Sequence, residues 1–405
     1  MMKSLSLVTN VMNERGYVSV LILPAVAGLL LVLLLIVTQQ QRLQQRWHLQ
    51  SAADNMALSA ATIIAREFNL LAIINRALIA NQVTQGQLLG LASWYSNLSS
   101  ASDRLALVSS VIPYVNIITR QLANAVAQVE QPLNLVLTSA LTMQRVLFST
   151  LQTAQWMIRA SFAMMIPQSL TEVAQAQNIK QQTWTLLHSP GLVEFPWLWW
   201  RYLPIQHASR DNDLLLDMTQ SSRDPFSKNR SYKWFDAGVI KAQKAGGSEL
   251  ITVKNGRWAW QAMDTVALHI RLLFKREEIP WGEGATYQTG SIDQVTESQF
   301  GESSRLNPRA TQLGLLNQKR MGVTDTPSYF NQEHLAPDDW PSVIIKFNDV
   351  IAKAGVRFSR PKTVIPRRDK RIEHANLFNA LWEPELQSLS TTEKFILSRF
   401  SWDNL

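Results

Sequence analysis

Three hydrophobic patterns follow one another along this chain. Tyr17 to Thr38 are 22 consecutive positions without a charged side chain. As a helix rising about 1.5 Å per residue, such a run crosses a hydrocarbon core of about 30 Å. Beyond it Leu43, Trp47, Gln50, Asp54, Ala57, Ala61, Ile64, Phe68, Leu71, Asn75 and Leu78 recur at four-three spacing, which sets them on one seam of a long helix. No proline lies between Pro24 and Pro113, so the span is predicted to continue as one rod well past Glu67. Val115, Ile118, Leu122, Val126 and Val129 form the next stripe before Pro132. Leu133, Leu137, Ala140, Leu147, Leu151, Ala154 and Ile158 form another before Pro167. Ser169 and Glu172 have capping-box spacing and predict a further helix to about Leu187, stopped by Ser189-Pro190-Gly191. These stripes carry Gln, Asn, Thr and Arg on their other faces, so they predict an elongated antiparallel bundle rather than more membrane spans.

The period then shortens to two. Leu250 to Lys254 and Arg257 to Gln261 flank Asn255-Gly256, a strong hairpin signal because both turn positions need positive φ. Val266, Leu268, Ile270 and Leu272 alternate with more polar residues and predict a strand with one buried face. Ile344 to Phe347 and Val356 to Phe358 are lesser strand candidates, and Ala375 to Trp382 a short closing helix. Thr286 to Asp339, rich in Ser, Gln, Gly, Asn and Pro, reads as long surface loops. The expected fold is therefore mainly α with a C-terminal α+β part. A stub over 1–16 precedes a transmembrane helix over 17–38. A helical region of long helix and bundle follows over 39–195, and a mixed domain with a β-hairpin and long loops over 196–405.

Charge sharpens that division. Residues 1–200 hold 11 Lys/Arg and 7 Asp/Glu, and residues 201–405 hold 28 and 24, so the charged fraction rises at about Trp200. The aromatic cluster Phe195, Trp197, Trp199, Trp200 and Tyr202 marks the join and is read as packing between the two parts, the alternative being a seat at headgroup level. Net charge is +8, spread through both halves, which suits work near anionic lipid and is no argument for nucleic acid. The chain has no cysteine, which excludes disulfides and thiolate metal sites.

A cleaved secretory signal is the rival reading of the first apolar run. Such a signal has an apolar core of about 7 to 15 residues and ends at a small-x-small site, whereas this run ends in Thr38-Gln39-Gln40-Gln41. An anchor is the better reading. Pro24 removes one backbone donor inside the span, a defect that neighbouring groups can compensate in membranes. Lys3 and Arg15 on one side nearly balance Arg42 and Arg46 on the other, so the short head rather than the charge bias points to a cytoplasmic amino terminus. Gln50, Asp54 and Asn75 interrupt the apolar seam, with Ala57 and Ala61 between them. Two readings stay open: they fix the register of a packed helix, or they face water where packing is loose.

Motif chemistry is sparse. The chain has no Gly-x-x-x-x-Gly-Lys phosphate loop, no Gly-x-Ser-x-Gly elbow and no His-Glu-x-x-His pair. Asp211-Asn-Asp213 lacks the further ligands and glycine of a calcium loop and reads as a solvated turn. The six histidines, His269 among them, have no partner at ligand spacing. Arg367 to Arg371 is the densest basic run and, following Pro366 without interleaved aromatics, reads as a solvated loop.

The order Arg15-Gly16, an apolar span opening with Val18-Ser19-Val20, a basic and glutamine-rich exit, then Leu49-Gln50-Ser51-Ala52-Ala53-Asp54 and Ala57 to Ala61, resembles the amino-terminal region of TadE/TadG-like Flp pilus-assembly proteins. Asn75 to Val83 and Ala375 to Asn379 resemble segments of the larger members. The resemblance covers about 70 residues at the start. It implies a single-pass component of the bacterial inner membrane, amino terminus cytoplasmic and body periplasmic, within the machinery that builds tight-adherence pili. Prepilin-like members are cut after a glycine and carry glutamate at the fifth mature position. Cutting at Gly16 would place Leu21 there, which argues against processing. The Asp-x-Ser-x-Ser motif of adhesion-type members is missing. The expected protein is non-enzymatic, without cofactor or metal. Its partners are the bilayer, other pilus-assembly or secretion proteins, and a homo- or hetero-oligomer formed through the N-terminal helix. A membrane-tethered periplasmic enzyme with its site near His269, and an envelope sensor, are the alternatives.

Overall fold

The computed structural model describes residues 15–108, 113–179, 184–189, 210–252, 258–272, 275–288, 301–322, 327–329, 340–347, 350–360, 364, 366, 368 and 373–399. Helix α1 (Arg15–Val108) is a single rod of 94 residues, about 140 Å long. Helix α2 (Pro113–Ala176) runs back along it for 64 residues. Their direction follows from the contacts: Tyr95 meets Val126, Asn81 meets Gln144, and Asn75 meets Gln155, so positions advance on one helix as they retreat on the other.

Two sheets pack along this hairpin. Strands β1 (Thr185–Ser189), β7 (Ser342–Phe347), β8 (Val350–Phe358) and β9 (Trp382–Gln387) form an antiparallel sheet in that order. It covers α1 nearest the apolar span, where Ala52, Met56, Ala60, Ile64 and Phe68 share a core with Ile166, Leu170, Val343, Ile345, Val356 and Trp382. Phe68 meets Trp382 edge to face at 5.1 Å, and Asn69 exchanges two hydrogen bonds with the Trp382 backbone, each 3.0 Å. Further out, β2 (Tyr232–Asp236), β3 (Ile240–Thr252), β4 (Trp258–Leu272), β5 (Lys275–Gln288) and β6 (Gln318–Gly322) form the second sheet, in which only the β5–β6 pair is parallel. Trp258 and Trp260 carry it onto α1 and α2 beside Leu78, Leu89, Leu137, Leu141 and Phe148. Gly86 makes that contact feasible, since a Cβ there would lie 2.6 Å from the Trp260 ring. Short helices α3 (Arg210–Ser221), α4 (Pro225–Lys228), α5 (Gly301–Leu306), α6 (Pro308–Leu316) and α7 (Thr391–Arg399) complete the described fold.

The expected order of helical and mixed parts is present, but several local elements differ. Helix α2 passes through Pro132 and Pro167, because both prolines lie on its exposed side while Leu137, Leu141, Phe148 and Ile166 hold the other face. Burial there outweighs a proline cost of about 3 kcal/mol. The helix expected from Ser169 to Leu187 does not form. Instead α2 ends after Ala176, where Asn178 takes φ of 58° and the Ile179 amide donates to the Ala174 carbonyl at 2.8 Å, a left-handed helix terminus. Strand β1 follows and pairs with β7, so the region placed at 39–195 contributes to a sheet with the region placed at 196–405.

Ala375 to Leu381 is irregular rather than helical. The Asn376 side chain accepts from the Phe378 and Asn379 amides, and that local turn competes with a helix. The helix near the end is α7, opened by a capping box in which the Ser390 and Glu393 side chains each accept the other's amide. The stretch expected as loops holds the end of β5, α5, α6 and β6. Gly282 lets α6 lie directly on β5, since a Cβ there would collide with the Ala310 carbonyl. Asp211-Asn-Asp213 lies in the first turn of α3. The hairpin of β3 and β4 forms with Thr252 opposite Trp258. Asn255-Gly256, the cluster Phe195 to Tyr202 and all of Arg367 to Arg371 except Arg368 lie outside the described residues.

Trp260 is fully buried, and its indole Nε1 donates to Gln82 Oε1 at 3.0 Å. Trp260→Ala is expected to cost about 3–5 kcal/mol. Urea titration of the detergent-solubilised chain checks this through a lowered midpoint at unchanged slope.

Candidate functional site

The part of α1 that determines what this molecule can do changes surroundings midway. From Ile22 to Val37 the described side chains are bare: Leu23 is 73% exposed, and no part of the most apolar window is buried by protein. A core helix of equal hydropathy would be covered. By length and composition this helix can cross a membrane, and among the described residues it alone passes that test. Trp47 follows Arg42 and Arg46 and is also exposed, which suits the interface, where indoles seat at headgroup level. Gly16 lies in the first turn of the same helix.

Burial begins at Ala52, and the remaining seam residues are met from within the chain. Ala57 and Ala61 are fully buried in the core shared with β7, β8 and the end of α2. Small side chains there admit close approach to the rod. Gln50 donates to Asp54 Oδ1 at 2.8 Å and to the Ile351 carbonyl at 3.3 Å, tying α1 to β8. Asn75 is buried, donates to the Leu377 carbonyl at 2.7 Å and accepts from Gln155 Nε2 at 2.6 Å. The polar seam residues therefore set the register of this chain's own elements on α1. Leu43 and Trp47, at the start of the same spacing, stay exposed.

Two buried ionic groups went unread in the sequence pattern. Glu67 and Arg159 face each other between α1 and α2, Nε to Oε1 3.5 Å, both buried. Burial raises the Glu67 pKa from 4.5 to about 7, against the pull of Arg159. The signal was Glu67 itself, one charge three positions after Ile64 in an otherwise apolar stripe. In the outer sheet Asp264 takes a two-pronged contact from Arg230, at 3.0 and 2.8 Å, and a further one from Lys244. All three are buried, and burial lowers the Lys244 pKa against the pull of Asp264. Asn97 of α1 donates to the Asp264 carbonyl at 2.9 Å, which joins this cluster to the rod. Asp264 shares strand parity with Trp260, Ala262 and Val266, but residues of both parities from 258 to 267 are buried, so alternation did not reveal it.

Among the described residues, three cavities bear on the question. A cleft of about 1010 Å³ between α1, α3 and the turn before β9 is lined by Arg76, Gln87, Glu373 and His374, among others. An apolar cavity of about 460 Å³ lies between Leu98, Leu122, Trp234 and Trp281. A smaller one of about 200 Å³ gathers Lys241, Arg271 and Arg305 around His269, whose Nε2 lies 2.9 Å from Asn307 Oδ1. That last site is cationic and has no carboxylate in its lining. Among the described residues, no group of three or more His, Cys, Asp or Glu could hold a metal ion.

Glu67 makes stability depend on pH. Its folded pKa exceeds the ordinary value, so the contribution is complete below pH 4.5 and is lost as pH rises through about 7. The loss is on the order of 3 kcal/mol. Urea midpoints between pH 4.5 and 8 are expected to fall in the parent and to flatten in Glu67→Gln. Asp264→Asn leaves two buried cations with a weakened partner and is expected to cost about 3–5 kcal/mol, seen as a lowered melting midpoint by circular dichroism. Neither a family model, nor a curated protein, nor a solved structure matches this chain, so its function is argued from these residues alone.

Proposed function

We propose that this chain is a structural component of a Tad-type Flp pilus-assembly or secretion machinery, held in the bacterial inner membrane by one helix with its body on the periplasmic side. The observation that carries the reading is α1. Its bare apolar segment and its buried segment belong to one uninterrupted helix, so an anchor in lipid would be coupled mechanically to a folded body.

Geometry supports an assembly role in two further ways. From Thr38 to Val108 the rod advances about 105 Å, far enough to present the outer sheet well away from the bilayer surface. Both sheets are locked to that rod by buried polar contacts at Asn75 and Asn97 and half-buried ones at Gln50 and Asn69, which suits a part that must transmit position. The amino-terminal resemblance around Arg15-Gly16 and Leu49 to Asp54 supplies the family, and with it the orientation and the pilus context.

Three measurements in the source bacterium test this. Alkaline carbonate is expected to leave the chain in the membrane pellet, and protease added to spheroplasts is expected to digest its body. Deletion of the gene is expected to abolish surface pili. Release by carbonate would refute the anchor, a protected body would refute the orientation, and normal piliation in the deletion strain would refute the assembly role.

A further inference from the structure

The outer face of α2 carries a second apolar stripe that the fold leaves in water. Val129, Val136, Met143, Met157 and Met164 recur at multiples of seven, and each is at least 50% exposed; Leu122, one repeat earlier, lines the apolar cavity with Leu98 and Trp281 instead. Thr150 fills the remaining place in the repeat. Between 118 and 165 the charged residues are Arg120, Glu130, Arg145 and Arg159. Arg159 is spent on Glu67, and Glu130 turns inward to accept from Ser99 at 3.2 Å. Arg145 stands two residues from Met143, about 200° around the helix, and Arg120 nine residues from Val129, about 180°. An exposed helix face of this length without one charge is unusual for a surface in water.

We propose that this face is the contact between two copies of the chain, packed α2 to α2 in parallel about a two-fold axis along the rods. The proposal rests on the membrane anchor. A shared bilayer gives every copy the same direction and the same height, so a residue on one α2 is presented to its own counterpart on the other. A seven-residue repeat matches a partner helix that winds around it in that arrangement. Self-pairing brings identical side chains together, which charges on the stripe would oppose and uncharged side chains permit. From Val129 to Met164 the stripe is about 52 Å long and roughly 10 Å wide, on the order of 500 Å² per copy, below the roughly 800 Å² of a stable interface. Tethering in one membrane supplies effective concentration for the remainder.

The absence of native cysteine makes the test direct. Val129→Cys, Val136→Cys, Met143→Cys and Met157→Cys, each alone, are oxidised with copper phenanthroline in native membranes. Thr138→Cys, exposed but turned away from the stripe, is the control. More than half of each stripe variant is expected to migrate at twice the 45.8 kDa of the chain, against under a tenth of the control. Adding Met143→Asp to Val129→Cys is expected to cut its dimer at least fivefold while the protein stays in the membrane fraction. No dimer from any stripe position in membrane-sedimented protein would overturn the pairing and leave the anchor standing. Equal crosslinking of Thr138→Cys, an adduct of another mass, or a Val129→Cys to Met164→Cys crosslink in co-expressed chains would each overturn it as well. Recovery of the variants as soluble protein would remove the anchor and the pairing together.

Discussion

Burial of apolar side chains along one unbroken helix is the constraint on which the rest of this structure depends. Helix α1 is apolar and bare over its first part and buried by protein over its second. No hinge proline or glycine pair separates the two, so the direction of the body is set by the direction of the span. The sheets exist in their observed places because α1 and α2 supply the apolar floor that neither sheet could close alone.

Buried polar groups then decide which arrangement of that apolar surface is adopted. A stripe of Ala, Ile and Leu tolerates sliding by a turn, whereas a buried amide or ion does not. Gln50 on Ile351, Asn69 on Trp382, Asn75 between Leu377 and Gln155, and Asn97 on Asp264 each reward one position along the rod. Glu67 and Asp264 raise the stakes, because a slipped register would leave a charge buried without its partner. Such a scaffold is better suited to holding parts at fixed distances than to reshaping around a ligand.

Much of this was legible in the chain, and the misreadings have physical causes. The span and the four-three seam were clear because they are long and one-sided; the strand β4 was found, but not its burial, since 258–267 are covered on both faces where one buried face was expected. Element ends were harder. Pro132 and Pro167 read as stops, but each sits where α2 meets solvent, so the lost hydrogen bond leaves a carbonyl that water can serve. Asn178 and Asn376 act through side-chain and left-handed backbone geometry that a hydrophobic count does not register. The seam residues Gln50, Asp54, Ala57, Ala61 and Asn75 were found, yet their cover came from β8, the turn before β9 and α2, hundreds of positions away or on the returning helix. Periodicity reports that a face is covered and is silent on what covers it. The same silence applies to the stripe on α2, which the fold itself leaves open.

The central claim is that anchor and body form one continuous rod across the membrane surface. It is tested most directly by a pulsed electron resonance distance between spin labels at Gln44 and Ile73, both exposed, with the chain in bilayer nanodiscs. Their separation along an unbroken helix is about 44 Å. A single narrow distribution near that value is predicted, whereas a broad distribution, or one centred below about 35 Å, would show a joint at the membrane exit and contradict the account.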